Sequence, residues 1–127
     1  RKGQPAEDIL FEMQSRVILE LARKESCIIV GRCADAVLRA AGIPAISLFI
    51  CAPFEDRVRR RMEIESIGQK EAEDTVRKLD KRRKKYYDTY TGRNWGAPEN
   101  YDFCINSSVR GMEGTAEQIV AWAGGAW

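Results

Sequence analysis

Histidine is absent from this chain of 127 residues. Hydrolases that use a serine or cysteine nucleophile usually depend on an imidazole base, so this absence removes the commonest form of that chemistry. The side chains left for catalysis are Asp, Glu, Lys and Arg, together with any metal ion that they bind. Clusters of arginine and carboxylate are therefore the candidates for a functional site.

Long apolar runs and metal-type cysteine spacings are absent as well. No stretch approaches the roughly 20 apolar residues that cross a bilayer, and no signal-peptide pattern is visible. The cysteines, at positions 27, 33, 51 and 104, lack the spacing of metal ligands, and three of them lie in or beside apolar runs. The sequence thus predicts a cytoplasmic protein with reduced thiols, no metal site and no membrane partner.

The net charge is small, but the positive charge is unevenly distributed along the chain. The net charge is +2, yet residues 77–85, "RKLDKRRKK", hold seven basic residues against one Asp. A nucleic-acid-binding domain is usually basic as a whole, so the pattern favours a small anionic ligand and predicts no nucleic-acid partner. Binding of nucleic acid through this segment is kept as an alternative hypothesis, and it would show a steep salt dependence.

Apolar spacing and turn residues predict a single α/β domain over residues 1–127. The predicted elements are helix 5–24, strand 27–31, helix 33–42, strand 45–52, helix 54–65, helix 69–90, strand 101–108 and helix 112–123. The strands are continuously apolar, as in sheets that are covered on both faces. This order predicts a three-layer domain with a parallel sheet of three strands.

Ligands of such sheets bind beyond the carboxyl ends of the strands. The predicted strand "CIIVG" ends at Gly31 and is followed by Arg32. A guanidinium at this place can bind a phosphate through two parallel hydrogen bonds. The alternative is a structural arginine that pairs with Asp35 or caps a neighbouring helix.

Arg83 occupies a position where the pattern predicts an apolar side chain. Ala72, Val76 and Leu79 form a helical stripe, and the next step of four residues falls on position 83. A charge in a core-facing position must be paired or face a ligand cleft. Asp80 shares that face and could orient Arg83 or hold a metal-bound water; the alternative is an Asp80–Arg83 pair with Arg83 reaching into solvent.

A run of arginines begins the predicted helix 54–65. Arg57, Arg60 and Arg61 fall on one face of it, which is usually only a solvated surface. A second basic helix follows after a break that contains Gly68. Two such helices indicate a hinged flap that closes over phosphates.

Three segments together resemble the cytidylate kinase-like family of P-loop phosphotransferases. They are "FEMQSRVILELARKESCIIVGRCADAVL", "DKRRKKYYDTYTGRNWG" and "ENYDFCINSS", and the resemblance runs from about Ile9 to Trp122. It implies a nucleoside monophosphate kinase fold with a helical lid over about residues 54–92. It also implies transfer of a phosphoryl group from ATP, with Mg²⁺, to CMP or a related nucleotide.

The resemblance implies roles for residues near the predicted strand ends. Arg32 matches the arginine of a Gly-Arg-Asp turn that holds the monophosphate substrate, and Asp35 is placed with it in substrate binding. Cys33 stands where the family has the aspartate, so recognition of cytidine does not follow. Asp80 and Arg83 match a D-x-x-R motif whose arginine reaches the substrate phosphate.

The lid arginines complete this set of implied roles. Arg57 and Arg61, with Asp80 and Arg83, are predicted to be catalytic, and Arg60 is predicted to bind substrate with Arg32, Asp35 and Arg83. Such catalysis consists of positioning and neutralising charge, with no covalent intermediate.

The sequence departs from the family in one large feature. The G-x-x-x-x-G-K-[ST] loop that cradles ATP phosphates is absent from these residues. In the family its strand lies between the first and second strands found here. We therefore expect the C-terminal portion of a longer kinase, inactive by itself; the alternative is a reduced, non-catalytic nucleotide-sensing or protein-interaction domain. The unpaired strand edges would close together or be filled by a neighbouring chain, for example in a homo-oligomer.

Overall fold

The computed structural model describes residues 5–126. Its elements, in chain order, are α1 Ala6–Lys24, α2 Ala34–Ala40, β1 Leu48–Cys51, α3 Phe54–Glu65, α4 Gln69–Thr91, a 3₁₀ turn Pro98–Asn100, β2 Phe103–Asn106 and α5 Ser107–Ala126. The predicted helices are therefore present, with ends that differ by a few residues. Within residues 5–126 no helix is long and apolar enough to cross a bilayer.

The sheet is parallel, as predicted, but it has two strands in the described residues and not three. β1 pairs with β2 in the register Leu48↔Phe103 to Cys51↔Asn106. Both strands are shorter than the apolar runs that predicted them. The α/β class is confirmed, and the prediction of a three-stranded sheet is wrong.

The missing strand is the predicted segment 27–31, which is irregular. Ile28 and Val30 are 94% and 87% exposed, while Ile29 between them is partly buried. A β-strand forms only when its backbone finds a neighbouring strand, and no strand lies beside this segment in the described residues. The apolar run thus indicates a local preference for β-structure. In the described residues it has no neighbouring strand with which to pair.

The chain divides into two compact units. One consists of Arg1–Ala45 and Tyr90–Gly92, and the other of Ile46–Thr89 and Arg93–Trp127. The prediction of one domain over residues 1–127 stays a prediction, and each unit is described by itself.

The first unit packs α1 against α2. Its buried core is Ile18, Ala34 and Leu38, and partly buried apolar residues surround them. Tyr90 also belongs to this unit: its ring stacks on Phe11 at 4.3 Å between centroids. The apolar side of α1 that carries Ile18 is therefore the packed side.

The second unit has one core where α3 meets α4. Val58, Ala72 and Val76 are buried there, and Ala72 has no exposed surface. Ser66 ends α3 in the left-handed conformation, with φ of 53°, and so turns the chain into α4. The two arginine-rich helices are therefore held together by apolar side chains along α3, from Phe54 to Met62, and in the first turns of α4.

Aromatic side chains form a second core in the same unit. The ring of Phe49 on β1 lies 5.4 Å from that of Trp95 and 5.0 Å from that of Tyr101. Gly96 passes so close to Phe49 that a Cβ atom there would lie 3.2 Å from the ring. The Asp88 carboxylate accepts the backbone N–H of Trp95 at 2.8 Å and so fixes this loop against the end of α4.

The last helix begins earlier than predicted and is interrupted. α5 starts at Ser107, directly after β2, and Gly111 breaks it with φ of 75° and ψ of 177°. Beyond the break, the Thr115 hydroxyl donates a hydrogen bond to the Gly111 carbonyl at 2.6 Å. The predicted start near Met112 corresponds to the part after the break.

Candidate functional site

Arg57 is the most firmly placed of the predicted site residues. Its Nε donates to the carbonyl of Ala52, just past the end of β1, at 3.0 Å. Its Nη1 donates to Oδ2 of Asp80 on α4 at 2.7 Å. One guanidinium thus connects the carboxyl end of a strand to both arginine-rich helices.

This arrangement leaves part of the Arg57 guanidinium available to a ligand. Arginine has five N–H donors, and the two contacts with Ala52 and Asp80 use Nε and Nη1. The side chains of Arg57 and Asp80 are 36% and 31% exposed, so the pair lies at the surface. Nη2 can therefore meet a solvent-borne anion while the other two nitrogens hold the group in place.

Phe54 and Arg77 belong to the same neighbourhood, and the sequence reasoning missed both. The Arg77 Cζ lies 4.8 Å from the centre of the Phe54 ring, and the Arg57 Cζ lies 5.9 Å from it. Cation–π contacts of this kind position guanidiniums without neutralising them. The signal available in the sequence was the spacing of three residues between Phe54 and Arg57, which puts them on one helical face.

Arg83 is exposed, so the prediction of a core-facing side chain is wrong. α4 is packed near its start, at Ala72 and Val76, and again near its end, at Tyr87. Between these contacts residues 81–85 are exposed all round the helix. A helix of 23 residues is about 35 Å long, and the described residues do not cover its middle turns.

Asp80 does not orient Arg83 in this structure. The Asp80 carboxylate pairs with Arg57, and Arg83 makes no hydrogen bond or ion pair within residues 5–126. The sequence placed Asp80 and Arg83 on one helix and could not show that an arginine from α3 reaches the carboxylate first.

The other arginines of α3 behave as surface residues. Arg61 pairs with Glu65 at 2.9 Å, and Arg60 is exposed. Arg59 pairs with Asp56 at 2.8 Å. The pKa of Asp56 is lowered by a hydrogen bond from the Ser108 side chain and by the bond from Arg59. Among the arginines of the predicted lid, Arg57 is distinguished by its hydrogen bonds to Ala52 and Asp80, which lie outside α3.

The turn at Arg32 lies in the first unit and is conformationally unusual. Gly31, Arg32 and Cys33 have φ of 70°, 57° and 57° in succession. The left-handed conformation costs a residue with a side chain roughly 1–2 kcal/mol, and such cost is concentrated at functional sites. The result is an exposed Arg32 that makes no hydrogen bond or ion pair within residues 5–126.

The alternative Arg32–Asp35 pair is not seen in the described residues. Asp35 lies instead 4.0 Å from Arg39, one turn later on α2. Cys33 is buried, and its burial, with a smaller contribution from the charge of Asp35, raises the pKa of its thiol to about 11. The residue that stands in the place of the family's aspartate is therefore a neutral thiol turned into the core.

The residues present do not fit a complex of ATP with Mg²⁺. The sequence contains no glycine-rich phosphate loop, and residues 5–126 contain no group of three or more His, Cys, Asp or Glu that could hold a metal ion. We therefore assign no step of phosphoryl transfer to these residues.

The described residues thus form an α/β structure in which an arginine is anchored at the carboxyl end of a parallel strand. The model of the cytidylate kinase-like family matches residues 2–109. The chain belongs to the cytidylate kinase-like family.

A solved structure supports the fold. The chain is similar to an uncharacterized protein from Eubacterium ventriosum ATCC 27560, with 33% sequence identity and a TM-score of 0.83. The match covers 94% of this chain and 66% of that protein, so the chain spans slightly less than two thirds of its relative. A comparison with curated proteins finds no match.

Proposed function

We propose that this chain supplies the acceptor-phosphate and lid residues of a nucleoside monophosphate kinase-like phosphotransferase. ATP would be the donor, and CMP or a related monophosphate the acceptor. Family membership supports the proposal, and the observation that carries it is Arg57, tied to both Ala52 and Asp80. A guanidinium held in this way is preorganised to stabilise charge on a phosphate.

Asp80 acts as a positioning residue for Arg57. Its carboxylate holds Nη1 of Arg57 at 2.7 Å, and the Ala52 carbonyl holds Nε from a second direction. With two nitrogens fixed, the plane of the guanidinium is defined, which reduces the entropy lost when a phosphate binds.

In this proposal Arg83, in the second unit, binds the acceptor phosphate, and Arg32, in the first unit, is a phosphate-binding residue considered by itself. Each is exposed and makes no ion pair in the described part of the chain, so its donors are not already committed. Arg60 and Arg61 add positive charge on the lid helix α3. A monophosphate carries close to two negative charges near pH 7, which two or more guanidiniums can match.

The proposal does not assign which nucleotide base the acceptor carries. A neutral, buried thiol at Cys33 cannot accept hydrogen bonds from a sugar or base as an exposed aspartate would. Recognition therefore rests on the phosphate more than on cytidine.

Calorimetric titration with CMP and with cytidine tests this proposal. We expect CMP to bind and cytidine to bind much more weakly, because the arginines meet the phosphate. Arg83→Ala should weaken CMP binding by about tenfold or more, since a charge-assisted hydrogen bond contributes roughly 1.5–3 kcal/mol. Arg82→Ala is the matched control, because Arg82 is also an exposed arginine of the same helix turn.

Equal affinity of Arg83→Ala and Arg82→Ala for CMP would remove Arg83 from the site. Equal binding of CMP and cytidine would contradict phosphate recognition altogether. Formation of ADP from ATP and CMP is expected only from a polypeptide that also carries an ATP-binding loop.

The second candidate is a non-catalytic nucleotide-sensing or protein-interaction domain. The lack of a glycine-rich phosphate loop in these 127 residues favours it for the chain by itself. A complete gene product that contains no such loop, yet binds CMP, would select this function over catalysis.

A further inference from the structure

One aromatic ring on α3 is in contact with two guanidiniums. The Cζ atom of Arg77 lies 4.8 Å from the centre of the Phe54 ring, and the Cζ atom of Arg57 lies 5.9 Å from it. Both distances are within the range of a cation–π contact. Phe54 begins α3 just past the carboxyl end of β1, and it packs against the core shared by α3 and α4. The ring is therefore a fixed surface at the edge where parallel sheets bind their ligands.

Arg77 contacts this ring although α4 offers it two carboxylates at helical spacing. Glu73, one turn earlier, accepts a hydrogen bond from Gln69 at 3.2 Å, and Asp80, one turn later, pairs with Arg57. Arg77 is exposed and makes no hydrogen bond or ion pair within residues 5–126. Its N–H donors are therefore available to a ligand.

The cluster of Phe54, Arg57, Arg77 and Asp80 carries more positive than negative charge. Asp80 neutralises Arg57 through their contact at 2.7 Å, and no carboxylate pairs with Arg77 in the described part of the chain. Two guanidiniums beside one ring repel each other, and a bound anion relieves that repulsion. A phosphate monoester carries close to two negative charges near pH 7 and several acceptor oxygens, which two guanidiniums can match.

We propose that Arg77 binds phosphate together with Arg57, and that Phe54 is the residue that positions both guanidiniums. These roles rest on the function proposed above, because the ligand is the phosphate group of the nucleotide. They add Arg77 to that site and give a physical reason for an aromatic residue at position 54. A cation–π contact restrains a guanidinium without a carboxylate, so its positive charge is kept for the phosphate.

A purely structural contact is the alternative, in which the methylene groups of Arg77 only shield the Phe54 ring from water. Arg77→Met keeps an unbranched apolar side chain over the ring and removes the charge. This variant should bind CMP about tenfold more weakly, because a charge-assisted hydrogen bond is lost. It should melt within about 2 °C of the wild type. Arg82→Met is the matched control: Arg82 is an exposed arginine of the same helix outside the cluster, and its loss should leave CMP affinity unchanged.

Fluorination of the ring tests the positioning role of Phe54. Phenylalanine with one, two or three ring fluorines keeps nearly the same size, but the face of its ring becomes progressively less negative. At position 54 this series should weaken CMP binding stepwise, by about fivefold in total, at an unchanged melting temperature. A residue that only fills space would show no such trend. A flat series would therefore remove the positioning role.

Inorganic phosphate gives a readout that does not depend on the nucleotide. In a titration followed by NMR of the arginine Nε–H groups, the signals of Arg57 and Arg77 should shift with one common dissociation constant. The Arg82 signal should stay in place. Such shifts in a protein that binds no CMP would uphold the role of Arg77 and contradict the proposed function.

Two results would overturn the role of Arg77 while leaving the proposed function standing. One is a protein that binds CMP and keeps its full affinity in Arg77→Met. The other is a phosphate titration that leaves the Arg77 signal unmoved while CMP binds.

Discussion

At the scale of single residues, the turn at Arg32 combines conformational cost with exposure. Its φ of 57° is one that glycine adopts freely and arginine does not. The guanidinium is nonetheless presented to solvent with its donors uncommitted in the described chain. A conformational cost without a visible packing benefit is consistent with a role in binding.

Replacing Arg32 by glycine and by alanine separates the free-energy cost of the left-handed backbone at this position from the role of the guanidinium in binding. Both variants lose the guanidinium, so both should bind CMP about tenfold or more weakly. Arg32→Gly should be more stable than Arg32→Ala by about 1 kcal/mol, because alanine keeps the left-handed penalty. Urea unfolding measures this difference in the free energy of unfolding. Equal stabilities would mean that the position is not left-handed in solution.

The raised pKa of the buried Cys33 thiol predicts that the folded chain loses stability in alkaline solution. Its pKa is raised from 9.0 to about 11 in the folded chain, so above pH 9 the unfolded chain releases a proton that the folded chain retains. The stabilisation is complete below pH 9 and is lost as the pH rises toward 11, by up to about 2–3 kcal/mol.

The measurement is urea unfolding of the wild type and of Cys33→Ala between pH 8 and pH 11. The difference between the two proteins isolates this thiol from the tyrosines and lysines that also titrate. A difference that stays constant over this range would contradict the raised pKa.

At the scale of elements, α3 and α4 are joined at two places that differ in kind. The apolar contact of Val58 with Ala72 and Val76 supplies the burial. The Arg57–Asp80 pair supplies orientation more than stability, because about a third of each side chain is exposed and solvent screens the charges.

Asp80→Asn should therefore affect binding more than folding. We expect a loss below about 1 kcal/mol in the free energy of unfolding and a weakening of CMP binding by about three- to tenfold, because Arg57 loses one of its two anchors. Asp56→Asn, which removes the partner of Arg59, is the matched control and should leave binding unchanged, because Arg59 has no role in the proposed site. If the two variants bind CMP equally well, Asp80 has no positioning role.

At the scale of the whole molecule, the buried apolar set is small for the length of the chain. The described residues include nine buried apolar residues, spread over separate clusters. Eleven large apolar side chains are exposed in the described residues. Hydrophobic burial is the main term that offsets chain entropy, so a small buried set limits stability.

We expect the 127-residue chain to have a free energy of unfolding below about 5 kcal/mol, the lower end of the usual range. Urea unfolding followed by circular dichroism measures it. A value above about 8 kcal/mol would contradict the inference that the small buried apolar set limits stability.

The sequence by itself determined the helices, the α/β class and the family. Helical spacing and end signals are local, and they placed α1, α3 and α4 within a few residues of their ends. The motifs around Arg32 and Asp80 identified the family that the comparison shows. These features depend on neighbours along the chain, which a sequence displays directly.

Only the tertiary structure decided which contacts those elements make. Segment 27–31 has the composition of a strand, but strand pairing is non-local and its neighbour is absent from the described residues. Arg83 follows an apolar stripe yet is exposed, because burial depends on what lies opposite the helix. Asp80 pairs with Arg57, 23 residues away, and not with its neighbour Arg83. Pairing and burial are set by residues distant in sequence, so local patterns predicted the elements but not their partners.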